Sequence, residues 1–251
     1  MNAITTSHWP YPRWIAHRGA GKLAPENTLA AFRLGAQHGY RMFECDAKLS
    51  ADGVPFLLHD ATLERTTNGR GTGGDLPLGA LAQLDAGSWH SRAYAGEAVP
   101  TLEALARFCI ANGYFLNIEI KPTPGQEETT GRVVGETAAR LWQGQAVPPL
   151  FSSFKPDALA GAQATAAHIP RALLLDTLWD GCLDTARRLG CVAIVCNHAL
   201  WDAALVAQVK GMGMRTLSYT VNDDWAAQRL IALGTDGIIT DRVDLFSPAT
   251  P

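Results

Sequence analysis

Long apolar runs, runs of one charge and paired cysteines are all missing from this chain. No stretch approaches the roughly 20 consecutive apolar residues that a membrane span needs, so stable membrane insertion is not expected. Lys and Arg number 21 against 24 Asp and Glu, a formal charge of −3 with no Lys/Arg run. That balance argues against a nucleic-acid footprint and against a polybasic membrane patch. It does not exclude a small anionic substrate, because one Arg and one Lys in a pocket suffice. The five cysteines (Cys45, Cys109, Cys182, Cys191 and Cys196) form no CxxC pair. Most sit within apolar segments, and the expectation is buried free thiols in a reducing, cytoplasmic compartment. The opening residues show no basic stretch followed by an apolar one, so a secretory signal is not expected.

What is present is a chain of 251 residues, 47% hydrophobic, enough for a large α/β domain or two small ones. Short apolar segments recur at Trp14–His17, Met42–Asp46, Phe115–Ile120, Leu150–Ser153, Ala172–Leu175, Val192–Cys196, Thr216–Tyr219 and Gly237–Thr240. Helical spacing and caps lie between them. Leu29, Phe32 and Ala36 share a face after Asn27, and Gly39 ends that helix. Thr101 can cap a helix carrying Leu102, Leu105 and Phe108 that stops at Asn112-Gly113. Asn222 or Asp223 can open another, closed by Gly234. Eight alternating βα units in one domain spanning 1–251 predict a (β/α)8 TIM barrel.

Strand spacing then singles out one interval. From Leu150 onward strand starts recur about every 21 residues or slightly more, whereas 73 residues separate Met42 from Phe115. A small inserted subdomain is therefore expected after the second barrel strand, at about residues 47–99. Asp52-Gly53 is a turn signal, and Phe56-Leu57-Leu58 reads as the returning arm of a hairpin. That hairpin brings His59 back beside Asp46 and keeps 55–58 out of the barrel count. Residues 61–98 read as a cap packed over the mouth, with Leu84, Trp89 and Tyr94 to anchor it. The glycine-rich Thr67–Gly74 lacks the order of a phosphate-binding P-loop.

The acids, histidines and basic residues fall at predicted strand ends. In such a barrel the C-terminal strand ends carry the chemistry. His17, Arg18, Glu44, Asp46, Glu119 and Lys121 all map there. Period-2 alternation puts Glu44 and Asp46 on one face, as it does Glu119 and Lys121, and turns Cys45 away. Three carboxylates near one axis repel unless a cation joins them, and oxygen-only ligands favour a hard ion, Mg²⁺ or Ca²⁺. The competing reading makes these acids salt-bridge partners of Arg18 and Lys121. His17 and His59 can act as an acid/base pair near neutral pH, while Arg18 and Lys121 can hold phosphate oxygens. His8, His38, His90, His168 and His198 have no such company and read as surface or loop residues.

The ordered motifs Ile15-Ala16-His17-Arg18-Gly19, Pro25-Glu26-Asn27-Thr28, Glu44-Cys45-Asp46, Asp52-Gly53-Val54-Pro55, His59-Asp60 and Asn117-Ile118-Glu119-Ile120-Lys121 resemble the glycerophosphodiester phosphodiesterase family. Phe151-Ser152-Ser153-Phe154, Thr220-Val221-Asn222 and Gly237-Ile238-Ile239-Thr240-Asp241 continue the likeness over nearly the whole chain. The compact length is similar to the bacterial cytosolic type. The resemblance implies a TIM barrel with a small insert and a divalent metal on Glu44, Asp46 and Glu119. It further implies His17 and His59 as the acid/base pair, Arg18 and Lys121 on phosphate, and hydrolysis of glycerophosphodiesters to sn-glycerol 3-phosphate and an alcohol. Ala47, Leu49 and Tyr219 depart from the residues usual in the family and bear on substrate preference.

Three rivals remain at this stage. They are a barrel that only binds such diesters, a phosphodiesterase acting on lysophospholipids, and a glycosidase using Glu44 and Glu119. Trp89, Tyr94, Phe154 and Trp225 are candidate lining residues. Oligomeric state stays open, since the apolar positions of 127–142 and 200–211 suit pairing and barrel packing alike.

Overall fold

Strand pairing closes on itself. The computed structural model describes residues 9–248, so His8 and the first part of the screened N-terminal stretch lie outside the described residues. The strands are β1 (Trp14–Ala16), β2 (Met42–Leu49), β3 (Pro55–Leu57), β4 (Phe115–Ile120), β5 (Leu150–Ser153), β6 (Arg171–Leu175), β7 (Ala193–Asn197), β8 (Arg215–Tyr219) and β9 (Gly237–Thr240). All but β3 run parallel. β1 pairs with both β2 and β9, so eight strands form a closed barrel. β3 runs antiparallel on β2 as the predicted hairpin arm. Each predicted strand lies within a residue or two of the observed one, except that β2 continues to Leu49 as the hairpin's first arm.

Between strands lie α1 (Leu29–Gln37), a short α2 (Leu78–Leu81) in the insert, α3 (Leu102–Asn112), α4 (Glu127–Leu141), α5 (Pro156–Thr165), α6 (Cys182–Arg188), α7 (Ala203–Gly211) and α8 (Asp224–Ala232). Thr101 caps α3 by accepting from the Ala104 amide at 3.0 Å, and Gly113 closes it in the left-handed region at φ 64°. Asp223, not Asn222, caps α8 through the Ala226 amide at 2.8 Å. Thr28, not Asn27, caps α1. After β9 the described residues hold no helix, so seven helices, α1 and α3 to α8, surround the eight strands rather than the eight expected. Instead Phe246 stacks on Trp14 at 4.7 Å and its carbonyl accepts from the Tyr40 hydroxyl at 2.8 Å, covering the β1 seam.

Alternation divides the strand residues between two apolar layers. Phe43, Cys45, Ile118, Phe151 and Leu173 face outward under the helices. Ile15, Met42, Leu150, Leu174, Val195 and Ile239 fill the barrel, closed at one end by Tyr11 with Trp9 beside it. All five cysteines are buried and unpaired. The insert holds its own small cluster of Phe56, Leu58, Leu63, Leu81, Ala86 and Val99. It leans on the β1–α1 loop, where His90 Nε2 donates to the Lys22 carbonyl at 3.0 Å. No described helix is long and apolar enough to cross a membrane.

Candidate active site

The site begins with the register of two neighbouring strands. β2 and β4 pair so that Glu44 lies opposite Asn117 and Asp46 opposite Glu119. Inward alternation then brings Glu44, Asp46 and Glu119 together, one oxygen of each within 4.8 Å of the others. All three are at least nine-tenths buried. Glu44 Oε1 and Asp46 Oδ1 are buried and accept no hydrogen bond among the described residues. Leaving such oxygens bare is costly, and a cation between them would remove that cost. An all-oxygen donor set with unmatched lone pairs fits Mg²⁺ or Ca²⁺. Salt bridges to Arg18 and Lys121 exist, but they leave Glu44 Oε1 unmatched and reach Asp46 Oδ1 only at 3.5 Å, from Lys121 Nζ.

The three acids sit differently in this field. Burial, then the charges of Asp46 and Glu119, push Glu44 well above the usual carboxylate range. Burial and Asp46 raise Glu119 to about 7. Burial would raise Asp46 as well, but Arg18 and Lys121 more than offset it and hold that carboxyl below its ordinary value.

The β1–α1 loop supplies one cation and a clamp, and the residue after β4 supplies a second cation. Arg18 (φ 51°) and Asn27 (φ 59°) are the non-glycine residues in the left-handed region among those described. Both touch the acids. The Arg18 amide donates to Glu44 Oε2 at 3.2 Å, and its Nε lies 3.1 Å from Asp46 Oδ2. Asn27 Nδ2 donates to Asp46 Oδ2 at 2.8 Å while its Oδ1 accepts from the Asp46 amide at 3.1 Å. Lys121 Nζ reaches Glu119 at 2.9 Å and Asp46 at 3.5 Å.

The two histidines flank this cluster, each tethered to its own carboxylate. His17 follows β1; its Nδ1 lies 2.6 Å from Asp241 Oδ1 and its Nε2 3.8 Å from Glu44 Oε2. Asp241, just past β9, is bracketed by Asn222, which donates to Oδ2 at 2.9 Å and accepts from the Asp241 amide at 2.9 Å. Burial would raise Asp241, yet the bond to His17 and its charge hold it at about 2. The hairpin delivers His59. The Leu58 amide donates to the Asp46 carbonyl at 3.1 Å, so His59 stands one residue beyond the rung opposite Asp46. His59 Nδ1 lies 2.7 Å from Asp60 Oδ1, and burial lowers its affinity for a proton. Arg65 grips Asp60 at 2.6 and 3.0 Å and Glu26 at 2.7 and 2.8 Å. Glu26 also accepts from Arg18 at 3.0 Å, completing a chain of charges between the two histidine-bearing segments.

His17, Arg18, Glu44, His59, Glu119 and Lys121 line one cleft of about 150 Å³, with Asp46 fully buried beside them. All seven residues singled out in the sequence therefore meet at the barrel mouth. The sequence reading missed the orienting partners Asp241, Asn222, Glu26 and Arg65. It also missed Asn117 and Ser152, whose buried side-chain polar atoms line the cleft without partners. Asp241 and Asn222 sit inside quoted motifs, which was the available signal. Phe154 and Tyr219 line the cleft; Trp89, Tyr94 and Trp225 do not.

The glycerophosphoryl diester phosphodiesterase family model matches residues 17–245. A glycerophosphodiester phosphodiesterase from Caldanaerobacter subterraneus is 33% identical over 233 residues, 90% of this chain and 93% of that one. The structure of an Oleispira antarctica phosphodiesterase in complex with the product sn-glycerol-3-phosphate is similar with a TM-score of 0.88 and 35% identity, covering 96% of this chain and 97% of that chain. A glycerophosphodiester phosphodiesterase from Agrobacterium tumefaciens is similar at 0.75 and 29%, over 94% and 99% of the two chains.

Proposed function

The chain belongs to the glycerophosphoryl diester phosphodiesterase family and is an enzyme that hydrolyses glycerophosphodiesters, and from that premise we propose that its barrel mouth cuts them to sn-glycerol 3-phosphate and an alcohol with a metal site and a histidine pair. The observation that carries this reading is the buried triad Glu44, Asp46 and Glu119 with a carboxylate-tethered histidine on either side. The product named for the Oleispira antarctica relative supports the same reaction here.

Glu44, Asp46 and Glu119 would hold the divalent cation, Mg²⁺ or Ca²⁺, which offsets negative charge growing on the phosphate in the transition state. Arg18 and Lys121 contact the non-bridging phosphate oxygens. Asn117 and Ser152 offer unpartnered polar atoms to the glycerol hydroxyls. His17, oriented by Asp241, takes a proton from the nucleophile, either water or the neighbouring glycerol hydroxyl; the hydroxyl route gives a cyclic phosphate that water then opens to sn-glycerol 3-phosphate. His59, oriented by Asp60, protonates the departing alcohol oxygen. The buried, unpaired cysteines support a reducing, cytoplasmic setting.

The test is release of sn-glycerol 3-phosphate from glycerophosphoglycerol and glycerophosphocholine, in EDTA and with Mg²⁺ or Ca²⁺ restored. Release that stops in EDTA and returns with one ion is the expected result. Release that is indifferent to chelation sinks the metal assignment. In metal-loaded protein, His17→Ala and His59→Ala should each lower kcat by about 10² or more. A near-wild-type kcat in either folded variant removes that histidine from the chemistry.

A second reading has one observation behind it. Leu178, Trp179 and Trp225, on the segments following β6 and β8, are 48%, 42% and 73% exposed. Exposed apolar side chains on segments that follow strand ends would suit an acyl chain, and turnover of lysophosphatidylcholine is the direct test.

A further inference from the structure

A second, more open cleft of about 320 Å³ adjoins the first, and the two share His59, Glu119, Lys121 and Phe154 as a common wall. Its remaining lining includes Lys48, Asp60, Ala61, Pro122, Pro124 and Lys155. We propose that this outer cleft seats the departing alcohol and favours alcohols that carry an anionic group. The inference rests on His59 as the proton donor to the leaving oxygen.

Position comes first. A donor to the leaving oxygen must lie between the phosphate and the departing group. His59 borders both clefts, with the carboxylate triad and Arg18 on its inner side. The inner cleft, at about 150 Å³, has room for glycerol phosphate and little more. The rest of the diester then passes His59 into the outer cleft.

Charge decides what the outer cleft accepts. Its two carboxylates are already met: Asp60 by Arg65 at 2.6 Å and His59 at 2.7 Å, Glu119 by Lys121 at 2.9 Å. Lys48 donates to the Lys121 carbonyl at 3.1 Å, which leaves its charge without a carboxylate partner. Among the described residues neither Lys48 nor exposed Lys155 forms an ion pair. Two cations in a cleft whose acids are already matched attract an anion and oppose a quaternary ammonium. An aromatic face can offset that opposition for choline. Among the described residues the only aromatic in the lining is Phe154, and Lys121 Nζ already faces its ring at 5.8 Å.

The experiment compares glycerophosphoinositol 4-phosphate, glycerophosphoinositol and glycerophosphocholine with the metal-loaded enzyme, reading sn-glycerol 3-phosphate release. The first two differ only in an anionic group on the leaving alcohol. The expected kcat/KM is at least about tenfold higher for the phosphorylated inositol diester than for the plain one, and lowest for the choline diester. Lys155→Glu should shrink the ratio of the phosphorylated inositol diester to the choline diester at least about tenfold. Arg132→Glu, an identical charge change on the exposed surface of α4, should leave that ratio in place. Ratios near one, or a ratio that Lys155→Glu does not move, overturn the subsite while the diesterase reading stands. No release from any of the three overturns both.

Discussion

Asp241 is the residue whose removal separates orientation from structure. It holds His17 Nδ1 at 2.6 Å and touches none of the three clustered acids. Asp241→Asn keeps the shape but offers a weaker and tautomer-switching partner, so kcat should fall by about 10- to 100-fold. Metal affinity, followed by calorimetry, should stay unchanged; a matching loss of metal binding would make Asp241 part of the metal centre instead. The acids yield a second expectation. Glu44 and Glu119 hold protons above the ordinary range, with Glu119 at about 7. Metal binding must displace those protons, so affinity should weaken steadily as pH drops from 8 to 6. Equal affinity at both pH values would show that the acids are already ionised.

At this scale the sequence was informative about identity and mute about partners. Glu44, Asp46, Glu119 and Lys121 were legible from strand-end alternation, His17 and Arg18 from their place at the end of the first strand, and His59 from the hairpin that returns it beside Asp46. Asp241 was not, because it reaches His17 only through pairing of β1 with β9, across 224 positions of chain. Glu26 and Arg65 meet across 39 positions and two different segments, with no local spacing to betray them.

Among the elements, the tightest seam is that between α4 and α5. A Cβ added at Gly131 would fall 2.0 Å from the Ala158 carbonyl, and one at Gly161 would fall 2.2 Å from the Glu128 carbonyl. The two helices therefore approach backbone to backbone. Gly131→Ala or Gly161→Ala must push them apart and should lower unfolding free energy by about 1–3 kcal/mol in denaturant titration. Activity per folded molecule should survive, because neither helix carries a residue of the mouth cleft. Loss of less than about 0.5 kcal/mol would mean the helices slide freely. Strand positions were readable from apolar segments and their spacing, and so was the hairpin from Asp52-Gly53. Helix starts were less so. Asn27 looks like a cap, yet its side chain is taken by Asp46 and the capping passes to Thr28. In the same way Asn222 is drawn to Asp241, leaving the cap to Asp223. In both cases a demand from the site overrode a local preference that Asn satisfies equally well. Trp89 and Tyr94 illustrate the opposite difficulty, since aromatic content announces packing without saying against what. His90, beside Trp89, bonds to the Lys22 carbonyl, and Tyr94 lies 3.5 Å from that of Leu23, away from the cleft.

For the molecule as a whole, the triad links pH, metal and stability. Without a cation, Glu119 titrates at about 7 when folded against an ordinary 4.5. The folded state then binds more protons than the unfolded one, so metal-free stability should fall as pH rises from about 4.5 through 7, by roughly 3 kcal/mol from this group. Thermal melts in EDTA at pH 5.5 and 8 check the sign, and Glu119→Gln should flatten the slope. Metal at 100 times its Kd should add about 2.7 kcal/mol at the alkaline end. A metal-free protein that melts higher at pH 8 than at pH 5.5, with no flattening in the variant, would contradict this account.

The barrel seam has a further consequence in time. Glu44, Asp46 and Glu119 come from adjacent strands in the first half of the chain, so a nascent polypeptide can assemble them before synthesis is finished. His17 is made earlier still, yet its anchoring carboxylate arrives only with the segment after β9. A ribosomal product cut short before β9 would leave β1 and β8 with open edges and His17 unanchored, and would be inert toward diesters. Only the completed ring brings His17 to its carboxylate.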